Sequence, residues 1–286
     1  MGSEARPGST VDGSTAQDEA APDETATDEA APIASDPQWR AILEGTVGGF
    51  GSGRRILRHI PSSPRCKLCA APFAGLGGRA MRLIDRGPWV KNPTICGFCF
   101  KELERGRGGA EITLTLLFAD IRGSTALAES MQPGAFHALM SRFYHEVTEV
   151  LVAHDAVVDK FVGDEVVALF IPALTGEAHA DRAVQAALEL LRVTGHADPG
   201  EPWAPLGIGI HTGRAYVGTI GDAVTDFTAL GDTVNVTARL ASAAAAGEIL
   251  ASADASSLAR LEPDLETRTL TLRGRQRPLD VRVLRI

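Results

Sequence analysis

The stretch "DAVVDKFVGDEVVALF", residues 155–170, decides how the rest of the chain is read. Two short apolar runs, "AVVDKFV" and "EVVALF", flank Gly163-Asp164, so two strands meet at a tight turn that holds an acid at its tip. Lys160 sits inside the first run. Every base after Lys101 is arginine except this one, which points to a need for a compact ammonium rather than a planar fork. Taken alone, Asp164 is an ordinary turn aspartate and Lys160 a snorkelling strand lysine. The neighbouring segments change that reading.

In "AEITLTLLFADIRGSTALAES", residues 110–130, Ile112, Leu114, Leu116 and Phe118 alternate with Thr113, Thr115 and Leu117, the pattern of a largely buried strand that ends at Asp120. The following "GST" opens a helix whose free backbone N–H groups make an anion site. Two hard carboxylates, Asp120 and Asp164, at the ends of neighbouring strands suit Mg2+ or Mn2+ and leave coordination positions for phosphate oxygens. In "DFTALGDTVNVTARLASAA", residues 226–244, a short strand is followed by a turn and cap at Gly231-Asp232-Thr233 and then a helix. Asn235 and Arg239, four apart, share one face of that helix, an arrangement suited to a ribose and a polyphosphate. "GIGIHTGRAYVGTIG", residues 207–221, reads as two further strands whose glycines allow close backbone approach, with His211 structural. The apolar spacing in residues 135–154 and 178–195 gives helices that pack on the sheet.

All four cysteines lie upstream, as "CKLC" (Cys66, Cys69) and "CGFC" (Cys96, Cys99). Two C-x-x-C knuckles complete a tetrahedral four-sulfur site, so structural Zn2+ is expected, against disulfides, an iron centre or a redox switch. Trp89, Phe98 and Phe100 read as apolar packing around the metal. From Arg54 to Arg107, twelve bases face only Asp85, Glu102 and Glu104, so an acidic protein or a nucleic acid is a candidate partner of this segment. Residues 1–36 have the opposite sign and almost no large apolar residue, the composition of a disordered acidic tail.

The 286 residues, 44% hydrophobic and 22% charged with net charge -8, allow one substantial core plus a smaller module. The expected domains are a tail over 1–38, a basic four-cysteine module over 39–108 and a catalytic domain over 109–286, with a flexible linker at "RGRGGAE", residues 105–111. No apolar run approaches the roughly 20 residues that span a bilayer, and the N-terminus has no apolar signal core, so the expectation is a cytoplasmic protein without a membrane partner.

Together "FADIRGST", "DKFVGDEVVALF", "GIGIHTG" and "TALGDTVNVTARL" resemble the class III nucleotidyl cyclase catalytic domain from about Glu111 to the C-terminus. The resemblance implies an α+β, ferredoxin-like βαββαβ fold. It also implies that Asp120, Asp164 and the Ile121 position bind two Mg2+ or Mn2+ ions, that Lys160 and Thr228 read the base, that Asn235 orients the ribose, and that Arg239 stabilises the pentavalent phosphate. Lysine at the first base position matches the adenylyl type, and Thr228 resembles the bacterial adenylyl variant. The implied protein is an adenylate cyclase that converts ATP to 3',5'-cyclic AMP and pyrophosphate at composite sites of a homodimer, regulated by the cysteine module. The alternatives are a guanylate cyclase and a non-catalytic dimerising domain whose cysteine module does the binding. A diguanylate cyclase, suggested by "VGDEVVALF", does not account for "GDTVNVTAR".

Overall fold

The alternation seen in the sequence builds a central strand, β1 (Gly109–Ile121), with two apolar faces. The computed structural model describes residues 36–46, 56–57, 59–60, 64–89, 92–105, 108–221, 226–271 and 278–286. The other strands are β2 (Val157–Val162), β3 (Glu165–Phe170), β4 (Leu206–Ile220), β5 (Asp226–Leu230), β6 (Glu248–Ser252), β7 (Thr267–Leu270) and β8 (Leu279–Leu284). The sheet runs β2-β3-β1-β4-β6-β8-β7, with β5 paired to β4 alone. The helices are α1 (Pro37–Leu43), α2 (Gly75–Leu83), α3 (Gly97–Arg105), α4 (Ser124–Ser130), α5 (Pro133–Ala153), α6 (Pro172–Thr175), α7 (His179–Val193), α8 (Asp232–Ala243) and α9 (Ala253–Leu258). The order β1, α4 and α5, β2, β3, α7, β4 is the βαββαβ unit expected from the sequence, with the antiparallel strand order β2-β3-β1-β4.

Leu117, Ala119 and Ile121 of β1 pack under α5 and α7, whose Phe143, Leu151, Leu190 and Leu191 are buried against them. Ile112, Leu114, Leu116 and Phe118 face the other way, into an apolar cluster with Trp39, Leu43, Phe73, Ile95, Phe100 and the four cysteines. The cysteine segment therefore shares its core with the catalytic sheet. This solves the problem of a segment too small and too polar to bury a core of its own.

Three boundaries differ from those expected on sequence. Residues 207–221 do not form two strands: β4 is one strand of 15 residues, paired with β1 from Gly109↔Gly218 to Ile121↔Leu206. Its glycines do not break it, because the continuous ladder to β1 satisfies the backbone throughout. The linker expected over 105–111 is shorter at both ends, since α3 runs to Arg105 and residues 109–111 already belong to β1, with Glu111 opposite Tyr216. The tail expected over 1–38 lies outside the described residues as far as 35. Its last residues are ordered, because Asp36 caps α1 by accepting from the backbone N–H of Gln38 at 2.8 Å.

At the far edge, buried Glu248 accepts from Arg268 at 3.1 and 3.0 Å and from Arg285 at 2.5 Å. The Arg268 hydrogen bonds chiefly, with help from the Ala245 N–H and Arg285, hold its carboxyl down at about 2, below the usual 4.5. A carboxyl depressed on folding adds stability that is complete above its unfolded value and lost as pH falls through the folded one. Glu248→Gln is expected to cost about 1–3 kcal/mol at pH 7 and to flatten the decline in stability between pH 4.5 and 2, as read by denaturant titration across pH.

Candidate active site

The β1–β3 ladder sets Asp120 opposite Glu165, one residue from Asp164 in the β2–β3 turn. Asp120 and Asp164 thus stand at the same end of adjacent strands, and the buried Ile121 follows Asp120 at the end of β1. Gly163 turns the hairpin at φ +62°, a conformation that favours glycine. Tyr144 of α5 fixes the tip, stacking on Phe161 at 4.1 Å and donating its hydroxyl to the Gly163 carbonyl at 2.6 Å. The acids crowd one another. Burial first, and then the charge of Asp164, push the Glu165 carboxyl above its ordinary range, while Arg122 works in the opposite sense. Arg122 pairs with Asp120 and also donates to the Ser242 carbonyl at the end of α8 at 3.1 Å. A cluster of hard oxygen donors that draws in a guanidinium for charge balance fits a divalent cation. Asp120 and Asp164 are the side chains that could hold it.

Lys160 and Thr228 lie on different strands, and the fold brings them together. The β2–β3 register shifts between Val158 and Lys160, leaving a bulge at Asp159. Lys160 Nζ lies 3.2 Å from Asp226 Oδ2 and 3.8 Å from Asp159 Oδ1. Thr228 Oγ1 donates to Asp159 Oδ2 at 2.6 Å. Asp159 is 4% exposed and joins the two positions. The sequence motifs do not single it out, although an acid inside an apolar strand is itself an anomaly that needs a partner.

Asn235 and Arg239 lie on α8 as expected, although the helix begins at Asp232 and Gly231 caps it without a side-chain bond. Thr233 instead donates its hydroxyl to the Arg214 carbonyl at 2.5 Å. α8 lies directly on β4: a Cβ at Gly209 would collide with Ala241 N and stand 2.6 Å from the Thr237 carbonyl. Gly209→Ala is therefore expected to push α8 off the sheet and carry Asn235 and Arg239 with it. Any activity that uses Asn235 and Arg239 should fall at least tenfold, with a loss of about 2 kcal/mol or more by denaturant melt. Among the described residues, no hydrogen bond or ion pair joins Asp120 or Asp164 to Lys160, Thr228, Asn235 or Arg239. His211 is structural, as expected, buried with Nδ1 2.8 Å from Ser252 Oγ.

The four cysteines converge. Their sulfurs lie within 4.8 Å of one another, with Cys66–Cys99 at 3.9 Å and Cys69–Cys96 at 3.6 Å. These spacings are far beyond a disulfide bond of about 2.05 Å. They match the roughly 3.8 Å edge of a sulfur tetrahedron around Zn2+ with about 2.3 Å bonds. Backbone N–H groups of Cys96 and Cys99 donate to Cys66 Sγ and Cys96 Sγ at 3.3 and 3.4 Å, the stabilisation that thiolates need. The segment also reaches both strands of the Lys160–Thr228 pair. Asn92, fully buried, donates to the Ala156 carbonyl just before β2 at 2.5 Å, and Trp89 stacks on Phe100, which meets Phe227 of β5 edge-on. Phe100 is thus a core residue, as expected, and Trp89 and Phe98 pack half-buried against the same cluster. A cavity of about 420 Å³ separates the two parts, with Arg82, Trp89 and Lys101 on one wall and Asp159 and Asp226 on the other.

A βαββαβ sheet with paired acids at one strand end and a polar helix laid on a glycine-lined strand defines a nucleotide-processing domain. Residues 110–279 match the model of the adenylate and guanylate cyclase catalytic domain, and the chain belongs to that family. It is 36% identical over 141 residues to adenylate cyclase 1 of Rhizobium meliloti (strain 1021), a match covering 47% of this chain and 21% of that protein. The chain thus spans about a fifth of that relative's length. Among solved structures it is similar to the guanylyl cyclase Cya2, with TM-score 0.56, 29% identity and coverage of 62% of this chain and 93% of the other. It is equally similar to the adenylyl cyclase CyaB from P. aeruginosa, with TM-score 0.54, 30% identity and coverage of 62% and 95%. The fold expected from the sequence is the fold observed. No helix among the described residues is long and apolar enough to cross a membrane.

Proposed function

We propose that this chain is an adenylate cyclase acting as a homodimer, and that its cysteine segment holds Zn2+ and regulates it. The observation that carries the choice of ATP is the joining of Lys160 and Thr228 through Asp159. An ammonium offers only donors, which suits adenine N1 and opposes the guanine N1–H. The ribose 3'-oxygen attacks the α-phosphorus in line, and the bond to the β-phosphate breaks to release pyrophosphate. Asn235 orients the ribose, and Arg239 neutralises charge that develops on the α-phosphate. Asp120, Asp164 and the Ile121 carbonyl would hold Mg2+ or Mn2+. When bound, these ions supply Lewis-acid activation of the 3'-hydroxyl and charge compensation at the phosphates.

The absence, among the described residues, of a hydrogen bond or ion pair between the two groups within one chain supports a dimer in which the acids of one subunit complete a site with Lys160, Thr228, Asn235 and Arg239 of the other. Regulation follows from the contacts of the cysteine segment with both base-reading strands. Arg65 and Lys67 of that segment are spent inside the chain, on the Leu57 and Ala70 carbonyls and on Asp155, so an acidic or nucleic-acid partner would have to be met by its other bases. The cytoplasm, where such thiols stay reduced, is the proposed location.

The test is chromatographic separation of the products that the purified chain forms from ATP and from GTP with Mg2+ or Mn2+. Cyclic AMP from ATP supports the reading; cyclic GMP as the main product makes the chain a guanylate cyclase. No product from a confirmed dimer leaves the non-catalytic binding role. Mixing inactive Asp120→Ala with inactive Arg239→Ala restores about a quarter of the activity if the sites are shared between subunits, because half the dimers then carry one intact site of two.

A further inference from the structure

We propose that Asp159 is a specificity-determining positioning residue, which fixes Thr228 as a hydrogen-bond acceptor and so makes the site read adenine; this rests on the adenylate cyclase reading above. A threonine hydroxyl carries one proton and two lone pairs, so by itself it accepts from an amino group or donates to a carbonyl with equal ease. Here the proton is committed. Thr228 Oγ1 donates to Asp159 Oδ2 at 2.6 Å, the length of a charge-assisted O–H···O bond, and a carboxylate beside the Lys160 ammonium has only lone pairs to offer in return.

What Thr228 can show an incoming base is therefore a lone pair. Beside it, Lys160 shows N–H groups. A donor next to an acceptor complements the N1 acceptor and N6 amino donor of adenine. It opposes the N1–H donor and O6 acceptor of guanine at both positions. Asp159 is held firmly enough to impose this order, since it is 4% exposed, sits at the bulge of β2, and turns its two oxygens separately toward the two base-reading side chains. Without Asp159, Thr228 regains its proton as a donor, and half of the discrimination disappears with no change in either base-reading residue.

Asp159→Asn makes a sharp test. The Lys160 ammonium, 3.8 Å from the Oδ1 side, favours the carbonyl of the introduced amide there by charge, which turns the NH2 toward Thr228. Thr228 must then accept from the amide and release its own proton toward the base. In the full chain with Mn2+, the ratio of kcat/KM for ATP to that for GTP is expected to fall about tenfold or more, with GTP turnover rising in absolute terms. In a Thr228→Val background, the same substitution should leave the ratio unmoved. Equal loss on both nucleotides, with the ratio within about twofold of the wild type, overturns the proposal and leaves Asp159 a structural acid.

If Asp159→Asn shows no cooperative melt, Thr228→Asn provides the second reading. With Asp159 in place, the amide NH2 is drawn to the carboxylate and its oxygen faces the base, so preference for ATP is retained; loss of that preference in a folded variant overturns the proposal. A wild-type preference for GTP overturns both this proposal and the adenylate cyclase reading, whereas wild-type preference for ATP with an unmoved ratio in Asp159→Asn overturns this proposal alone.

Discussion

Arg239→Ala is expected to lower the rate of cyclic-nucleotide formation about a hundred- to a thousand-fold while shifting KM for ATP by no more than about threefold. The guanidinium is half-buried on α8, on the face it shares with Asn235 one turn earlier, and neither side chain hydrogen-bonds to another described residue. A charged group left without an internal partner keeps its N–H donors for charge that appears only during reaction. Its removal therefore affects the transition state more than the bound substrate. Arg239→Lys restores charge but not the planar fork, so it should recover only part of the rate. A melting temperature within about 2 °C of the wild type would separate this effect from damage to α8, whose hold on the sheet comes from Val236 and Leu240 instead.

The second large effect belongs to the cysteines. Cys96→Ser is expected to abolish stoichiometric zinc, measured by elemental analysis, and to lower the melting temperature by about 10 °C or more. Cys96 and Cys99 are fully buried in the cluster that also contains Ile112, Leu114 and Leu116 of β1. In the variant, three thiols and an introduced hydroxyl would stand in an apolar setting. Because Trp89 stacks on Phe100 and Phe100 meets Phe227, next to Thr228, the variant should also lose activity. Retained zinc content, or an unchanged melt in the zinc-free protein, would remove the metal from the account of how this segment folds.

The hairpin at Gly163-Asp164, the buried strand ending at Asp120 and the helix bearing Asn235 and Arg239 were legible because each is local. Alternation places side chains on a face, a glycine at positive φ makes a turn, and a spacing of four aligns two residues on a helix. The pairing of C-x-x-C knuckles was equally legible, since the chemistry of four thiols leaves few arrangements.

The tertiary structure decided what depends on strands far apart in the chain. β4 stays whole because β1 pairs with it continuously from Leu206 to Gly218, although the stretch reads as two strands on sequence. The cysteine segment read as a separate module, yet its aromatic residues complete the core under β1, because two half-cores that are each too small gain more by merging than by standing apart. Asp159 and Thr228 are 69 residues apart, and no local pattern reports that a bulge in β2 and a strand paired only to β4 bring a carboxylate to a hydroxyl. Residue types and short spacings thus determine which groups are present and which face they take; long-range pairing decides which of them meet, because a hydrogen bond across a fold depends on the register of every strand between.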